Sequence, residues 1–185
     1  MPVRAPQRRS RLEAAHHSVW FSWIDPHVTH RPGVYVRQSM LAAGALALVL
    51  LAQDILTQGA LVAAIASSVA IVFFVPHSIA SSPKRIVGGH VAGVIAAYVI
   101  LGASMLFPGS VAEERWFIDL GGALALGLVI FIMTATNTEH APAAGTALGL
   151  AVRGPSANAV IFIITAAVIV ALVRVVLARH LHNLV

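Results

Sequence analysis

The chain is 185 residues long, 58% hydrophobic and 10% charged, with a formal net charge of +5. Soluble domains are about 45–50% apolar and about 25% charged, so this composition excludes an ordinary soluble domain or secreted enzyme and indicates a membrane protein. There is no cysteine, hence neither a disulfide framework nor a thiolate metal site. The positive charge is no nucleic-acid signal: Arg4, Arg8, Arg9, Arg11, Arg31 and Arg37 all precede position 38, beside the first apolar stretch, where lipid headgroups are the natural partner.

Residues 1–37 read as a basic cytoplasmic tail rather than a signal peptide, because no apolar run directly follows the arginines. Within it, Trp20, Phe21 and Trp23 stand close to arginine and suit the headgroup layer. Beyond Arg37, charges cut the chain into apolar windows. About 20 apolar residues in a helix cross the hydrocarbon core. The windows predict helices over about 38–54, 56–75, 87–107, 118–136 and 157–178, apolar on every side, as lipid-embedded helices are.

Residues 140–152 are too short to cross at ordinary helix length and are bounded by Pro142 and Pro155, which predicts a half-length re-entrant helix. The expected architecture is an all-α polytopic transmembrane bundle of about five spans plus that segment. It comprises a tail at 1–37, a transmembrane domain at 38–180 and a short C-terminal tail at 181–185. Lys84 and Arg85 join the tail arginines on one side, and Asp54, Glu113, Glu114 and Asp119 fall on the other. The positive-inside rule then predicts that the N-terminus is in the cytoplasm; the expected location is a cell membrane, of the bacterial inner-membrane type. A re-entrant 140–152 leaves Arg174 and Arg179 on the outer side, against that rule; a crossing puts them inside.

Two loops carry the polar chemistry. Pro76-His77-Ser78-Ile79-Ala80-Ser81-Ser82-Pro83-Lys84-Arg85 follows the second span and leads to Gly88-Gly89-His90. Asn137-Thr138-Glu139-His140-Ala141-Pro142-Ala143-Ala144-Gly145-Thr146 follows the fourth. Proline stops a helix and glycine allows close backbone approach. Helix starts near Gly88 and Ala143 present N–H groups that suit an anion. His77, His90 and His140 are the histidines of the membrane region and are expected to approach one another around a shared polar cavity. Gly89-xxx-Gly93 and Gly145-xxx-Gly149 are also the spacing of close helix packing, and small residues on helix faces suit a homo-oligomer. Spacing gives no catalytic constellation, no Gly-rich phosphate loop and no zinc-protease motif, so neither a cofactor nor a metal is implied.

At these loops the chain resembles the HPP family of integral membrane proteins. The residues that carry the likeness are Pro76-His77-Ser78, Pro83-Lys84, Gly88-Gly89-His90 and His140-Ala141-Pro142-Ala143-Ala144-Gly145-Thr146-Ala147-Leu148. Here Ala141 stands where the family has the first proline of its His-Pro-Pro, and the glycine falls at Gly145, one residue later than usual. The resemblance implies transport of nitrite, as in some plastid and cyanobacterial relatives. The expected function is transport of a small monovalent anion across the lipid bilayer. The binding residues are expected to be His77, Ser78, Ser81, Lys84, Gly88, Gly89, His90, His140, Pro142, Gly145 and Thr146. A histidine-based or metal-dependent membrane enzyme and a membrane scaffold subunit are the competing readings.

Overall fold

The computed structural model describes residues 30–51 and 59–184. The aromatic patch of the tail and Asp54 lie outside the described residues. The chain divides into Met1–Arg37 and Gln38–Val185. In the first unit, the Arg31 carbonyl accepts from Val34 N–H (3.1 Å) where a helix opens at Pro32. Proline suits a first helical position because its missing N–H would have no partner there.

Among the described residues the chain is helical and has no strand. The helices are α1 (Pro32–Leu51), α2 (Gly59–Phe74), α3 (Pro83–Ser104), the single turn α4 (Gly109–Ala112), α5 (Arg115–Thr136), α6 (Ala143–Arg153) and α7 (Ala157–Leu177), with a 3-10 turn at Ile79–Ser81. Of these, α3, α5 and α7, with 22, 22 and 21 residues, are long and apolar enough to cross a membrane. Their length of about 32–33 Å matches a hydrocarbon core of about 30 Å. The described part of α2 has 16 residues. Large apolar side chains face outward, including Leu124 at 54% exposure and Phe131 at 69%. Only hydrocarbon surroundings make that arrangement stable. The chain is a helical membrane bundle.

Several helices start earlier than their apolar windows. α1 begins at Pro32 rather than near 38, and α3 at Pro83 rather than near 87. In both, proline fixes the first turn and a basic side chain follows it within the helix, which charge-free windows cannot register. α5 ends where expected. Asn137 adopts a left-handed conformation (φ 56°), and Thr138 N–H bonds back to the Met133 carbonyl at 2.9 Å. Asparagine tolerates this better than most residues, and the bond satisfies a terminal carbonyl.

Contacts along the helices give their directions. Arg85 on α3 bonds Asn137 just beyond α5, while Gly121 on α5 faces Ile100 on α3, so the two are antiparallel. Gly89 lies against His140 and Ala143, Gly93 against Ala143 and Thr146, and Ala151 shares a cavity wall with Leu101 and Gly121. Therefore α6 runs parallel to α3, away from His77. Its 11 residues form the expected half-length element, about 16 Å long. It is not re-entrant in course, however: it takes the chain to the end where α5 begins. The α2, α3 and α5 helices pack against it on different sides, so its short length is covered by protein. Next, α7 returns: Arg174 donates to the Pro76 carbonyl (3.1 Å) and Leu184 N–H to the Phe74 carbonyl (2.9 Å). Arg174 thus shares the end of Lys84 and Arg85, which removes the conflict that a re-entrant α6 would create with the positive-inside rule.

The last residues pack onto the bundle. Leu181 is 2% exposed, and the buried Gln38 amide donates to the Phe73 and His182 carbonyls while accepting from His182 N–H.

Glycine sets the closest approach between α3 and α6. A Cβ on Gly93 would lie 2.8 Å from the Ala143 carbonyl oxygen, whereas one on Gly127 meets nothing within 4 Å. Gly93→Ala should therefore destabilise the protein by about 1–3 kcal/mol, the usual cost of overpacking, while Gly127→Ala is neutral or slightly stabilising. Thermal unfolding in detergent compares the two, and equal melting temperatures would contradict the packing. Cysteines introduced at Ser156 and Asn183 should be labelled from opposite sides of the membrane; labelling from the same side would contradict the course of α6.

Candidate functional site

The polar centre lies where α2, α3 and α6 meet, roofed by the 3-10 turn. His90 sits two turns into α3, Ser68 three-fifths of the way along α2, Thr146 in the first turn of α6 and His140 in the loop before it. All four are 0% exposed. His90 Nδ1 is 2.8 Å from Thr146 Oγ1, and His90 Nε2 is 2.9 Å from Ser68 Oγ. Ser68 Oγ is also 2.9 Å from His140 Nε2 and 3.0 Å from the Ala64 carbonyl oxygen. His140 Nδ1 is 2.9 Å from the Ala80 carbonyl oxygen. The two imidazoles meet edge to face, with ring centroids 5.5 Å apart.

Counting hydrogens fixes the donors for two neutral rings. A carbonyl only accepts, so His140 Nδ1 carries a proton toward Ala80 and its Nε2 is a lone pair. Ser68 has one hydrogen, which it gives to His140 Nε2; His90 Nε2–H then donates to Ser68 Oγ. His90 Nδ1 is left to accept from the Thr146 hydroxyl. All four bonds run in one direction, from Thr146 through His90, Ser68 and His140 to Ala80, and no ring nitrogen lacks a partner. Buried polar groups are stable only when satisfied in this way.

Local sequence builds the centre. The left-handed Asn137 turns the chain inward after α5, so Thr138 and His140 re-enter the bundle at 8% and 0% exposure. Arg85 secures that loop by bonding Asn137 Oδ1 and pairing with Glu139 (2.5 Å). Gly88 and Gly89 provide the space: a Cβ on Gly88 would fall 2.6 Å from Thr138 Cγ2, and one on Gly89 2.8 Å from His140 Cβ. Gly145 likewise lies against Ala64 of α2.

Of the three histidines expected together, His90 and His140 meet. His77 is exposed at the surface, with its backbone N–H donating to Asn183 Oδ1 (3.2 Å). Ser81 is buried but gives its hydroxyl to the Val75 carbonyl (2.8 Å), closing the end of α2, and Ser78 bonds Ser81 (3.1 Å). Lys84 is exposed in the first turn of α3. Pro142 is buried and caps α6.

The anticipated helix start at Gly88 does not exist. Gly88 lies inside α3, whose early N–H groups at Arg85 and Ile86 bond the Ser82 carbonyl. α6 does begin at Ala143, yet the N–H groups of Ala143, Ala144 and Gly145 bond the carbonyls of His140, Ala141 and Pro142. The polar surface offered at the junction is therefore imidazole and hydroxyl rather than free backbone N–H. Sequence reasoning passed over Ser68. Its signal was the Ser67-Ser68 pair in an otherwise apolar span, where Ser67 faces outward and bonds Ala63 while Ser68 faces in. Among the described residues, no three His, Cys, Asp or Glu side chains gather as metal ligands.

A family model described as "HPP, transmembrane region" matches residues 28–185, nearly all of the chain beyond its basic tail. No curated protein and no solved structure matches the chain.

Burial holds the His140 imidazole below its ordinary value of 6.5, and its bond to the Ala80 carbonyl pulls the other way. The unfolded chain takes up a proton here near 6.5 while the folded chain resists it. Stability is thus intact above that value and lost as the pH falls below it, by up to about 1.4 kcal/mol per pH unit. Melting temperatures measured between pH 8 and 5 should be flat at the alkaline end and fall below 6.5. A curve flat throughout would contradict the buried neutral imidazole.

Proposed function

The chain belongs to the HPP family of integral membrane proteins, and from that premise we propose that it transports a small monovalent anion of the nitrite class. The observation that supports this reading best is the fully buried group of His90, Ser68, His140 and Thr146 inside an apolar bundle. Polar and ionisable side chains at membrane depth are expensive and mark pathways. Imidazole N–H and hydroxyl groups are donors of the right size for a compact anion, and they bind it without the fixed charge that would hold it too tightly to leave.

The charge distribution agrees. Lys84, Arg85 and Arg174 cluster at the end where His140 and Ala80 lie, and Arg179 follows just after α7. At the opposite end Glu113, Glu114 and Asp119 stand with Arg115 and Arg153. A basic rim concentrates anions at the entrance. In this reading the end richer in Lys and Arg faces the cytoplasm, as the positive-inside rule favours, the N-terminus is also inside, and the membrane is a bacterial inner membrane. Lys84, His77 and Ser78 then line the approach, Ser81 holds the turn beneath them, and the buried pair with Thr146 forms the binding group. Gly88, Gly89, Pro142 and Gly145 give that group its shape.

Purified protein in liposomes should admit nitrite faster than protein-free vesicles, with nitrate and formate as the comparison anions. His140→Ala should lower the flux at least tenfold while the protein stays monodisperse. Absence of protein-dependent flux of all three anions, or a fully active His140→Ala variant, would overturn the proposal.

A further inference from the structure

The hydroxyl of Ser68 lies between the Nε2 atoms of two histidines, at 2.9 Å from each. Purely structural serines in a membrane helix bond the carbonyl one turn back, as Ser67 does with Ala63 (2.8 Å). Ser68 has that carbonyl, Ala64, within reach at 3.0 Å and two imidazoles besides. Ser68 has one hydrogen to give, to His140 Nε2 or the Ala64 carbonyl, and receives one from His90 Nε2–H, so it can pass a proton on as it takes one up. We propose that Ser68 joins His90 and His140 into one proton-sharing pair that takes up a single proton with each anion, so that transport is electroneutral symport. This rests on the anion-transport reading above.

The transfer balances. An incoming proton is taken up by Thr146 Oγ1 as the Thr146 hydroxyl proton passes to His90 Nδ1. His90 is then an imidazolium. Its Nε2 proton moves to Ser68 Oγ as the Ser68 hydroxyl proton moves to His140 Nε2. His90 is left neutral with its proton on Nδ1, and His140 becomes the imidazolium. Only O–H and N–H bonds form and break, none between heavy atoms, and the charge has moved between rings 5.5 Å apart. Beyond His140 lies the Ala80 carbonyl, which accepts but passes nothing on. In this conformation the path is closed at that end, so no proton leaks without a change in the Ile79–Ser81 turn.

Electrostatics gives the reason for a shared proton. An anion entering a buried helix junction needs a positive charge beside it, because an unpaired charge out of bulk solvent is strongly disfavoured. The groups facing the pair provide none. α2 contributes Ser68, α6 Thr146 and the 3-10 turn a carbonyl. Elsewhere on the packed elements, Arg85 is engaged with Glu139 and Asn137, Lys84 is exposed, and Arg174 of α7 is bonded to Pro76. On α5, Arg115 and Asp119 are paired at the far end, where Arg153 of α6 also lies. Among the described residues only the histidine pair can become cationic beside the anion, and it does so by taking up the proton that accompanies it.

The test uses the full chain in liposomes loaded with a pH-sensitive dye, with nitrite added outside and protein-free vesicles subtracted. Uptake should acidify the lumen by one proton per nitrite, and clamping the membrane potential to either sign with potassium and valinomycin should leave the rate unchanged. Ser68→Ala should lower proton-linked uptake at least tenfold, and Ser68→Thr, which retains the hydroxyl, should preserve it. Nitrite uptake that follows the membrane potential without lumen acidification would overturn the coupling but leave anion transport standing. Ser68→Ala protein that acidifies the lumen as the unmodified protein does would overturn the relay. No flux under any condition would overturn both readings.

Discussion

A serine hydroxyl has one hydrogen to give, and in this bundle that limit organises the polar centre. Ser68 stands between two imidazoles whose remaining nitrogens are already assigned, one to a carbonyl and one to the Thr146 hydroxyl. The single hydrogen fixes both tautomers and gives the chain of bonds one direction. It also binds together three helices and a turn that are otherwise held by apolar packing. Reversing any one bond would leave a lone pair facing a lone pair among side chains that are 0% exposed, so the arrangement is all-or-none.

Small residues make this geometry reachable. Gly88 and Gly89 let the loop after α5 lie directly on α3, Gly93 lets α6 do the same one turn deeper, and Gly145 and Gly149 admit α2 from the other side. Gly88, Gly89 and Gly145 were expected among the binding residues, Gly93 and Gly149 as packing positions, and all five lie in close contact with a neighbouring element. Without them α6 would stand off from α3 and the distances between His90, Thr146 and His140 would exceed hydrogen-bond range. Packing and polar chemistry thus occupy the same few positions, which explains why the loops that interrupt the apolar spans are dense in glycine, proline and histidine.

Much of this was legible in the sequence. Charges delimit apolar windows, so the existence and order of the main helices followed directly. Histidines interrupting those windows singled out His90 and His140. What could not be read has physical causes. Pro83 starts α3 ahead of Lys84 and Arg85, so the charges that ended a window sit inside a helix. α6 has too few residues to signal a crossing, and its course depends on three covering helices that no local pattern encodes. Ser68 is a small hydroxyl in a run of alanine and valine, and only the facing histidines distinguish it from Ser67. His77 occupies a loop whose composition mirrors that of His140, yet its side chain faces outward because the chain there closes α2 instead of turning into the bundle.

The directed chain of hydrogen bonds is the claim on which the chemistry stands, and nitrogen resonances of the two rings test it most directly. In protein labelled with 15N histidine and held in bilayers near neutral pH, His90 should carry its proton on Nε2 and His140 on Nδ1, both rings neutral. Single-site variants His90→Gln and His140→Gln assign the signals. The same tautomer on both rings, or a charged imidazolium at either, would contradict the account.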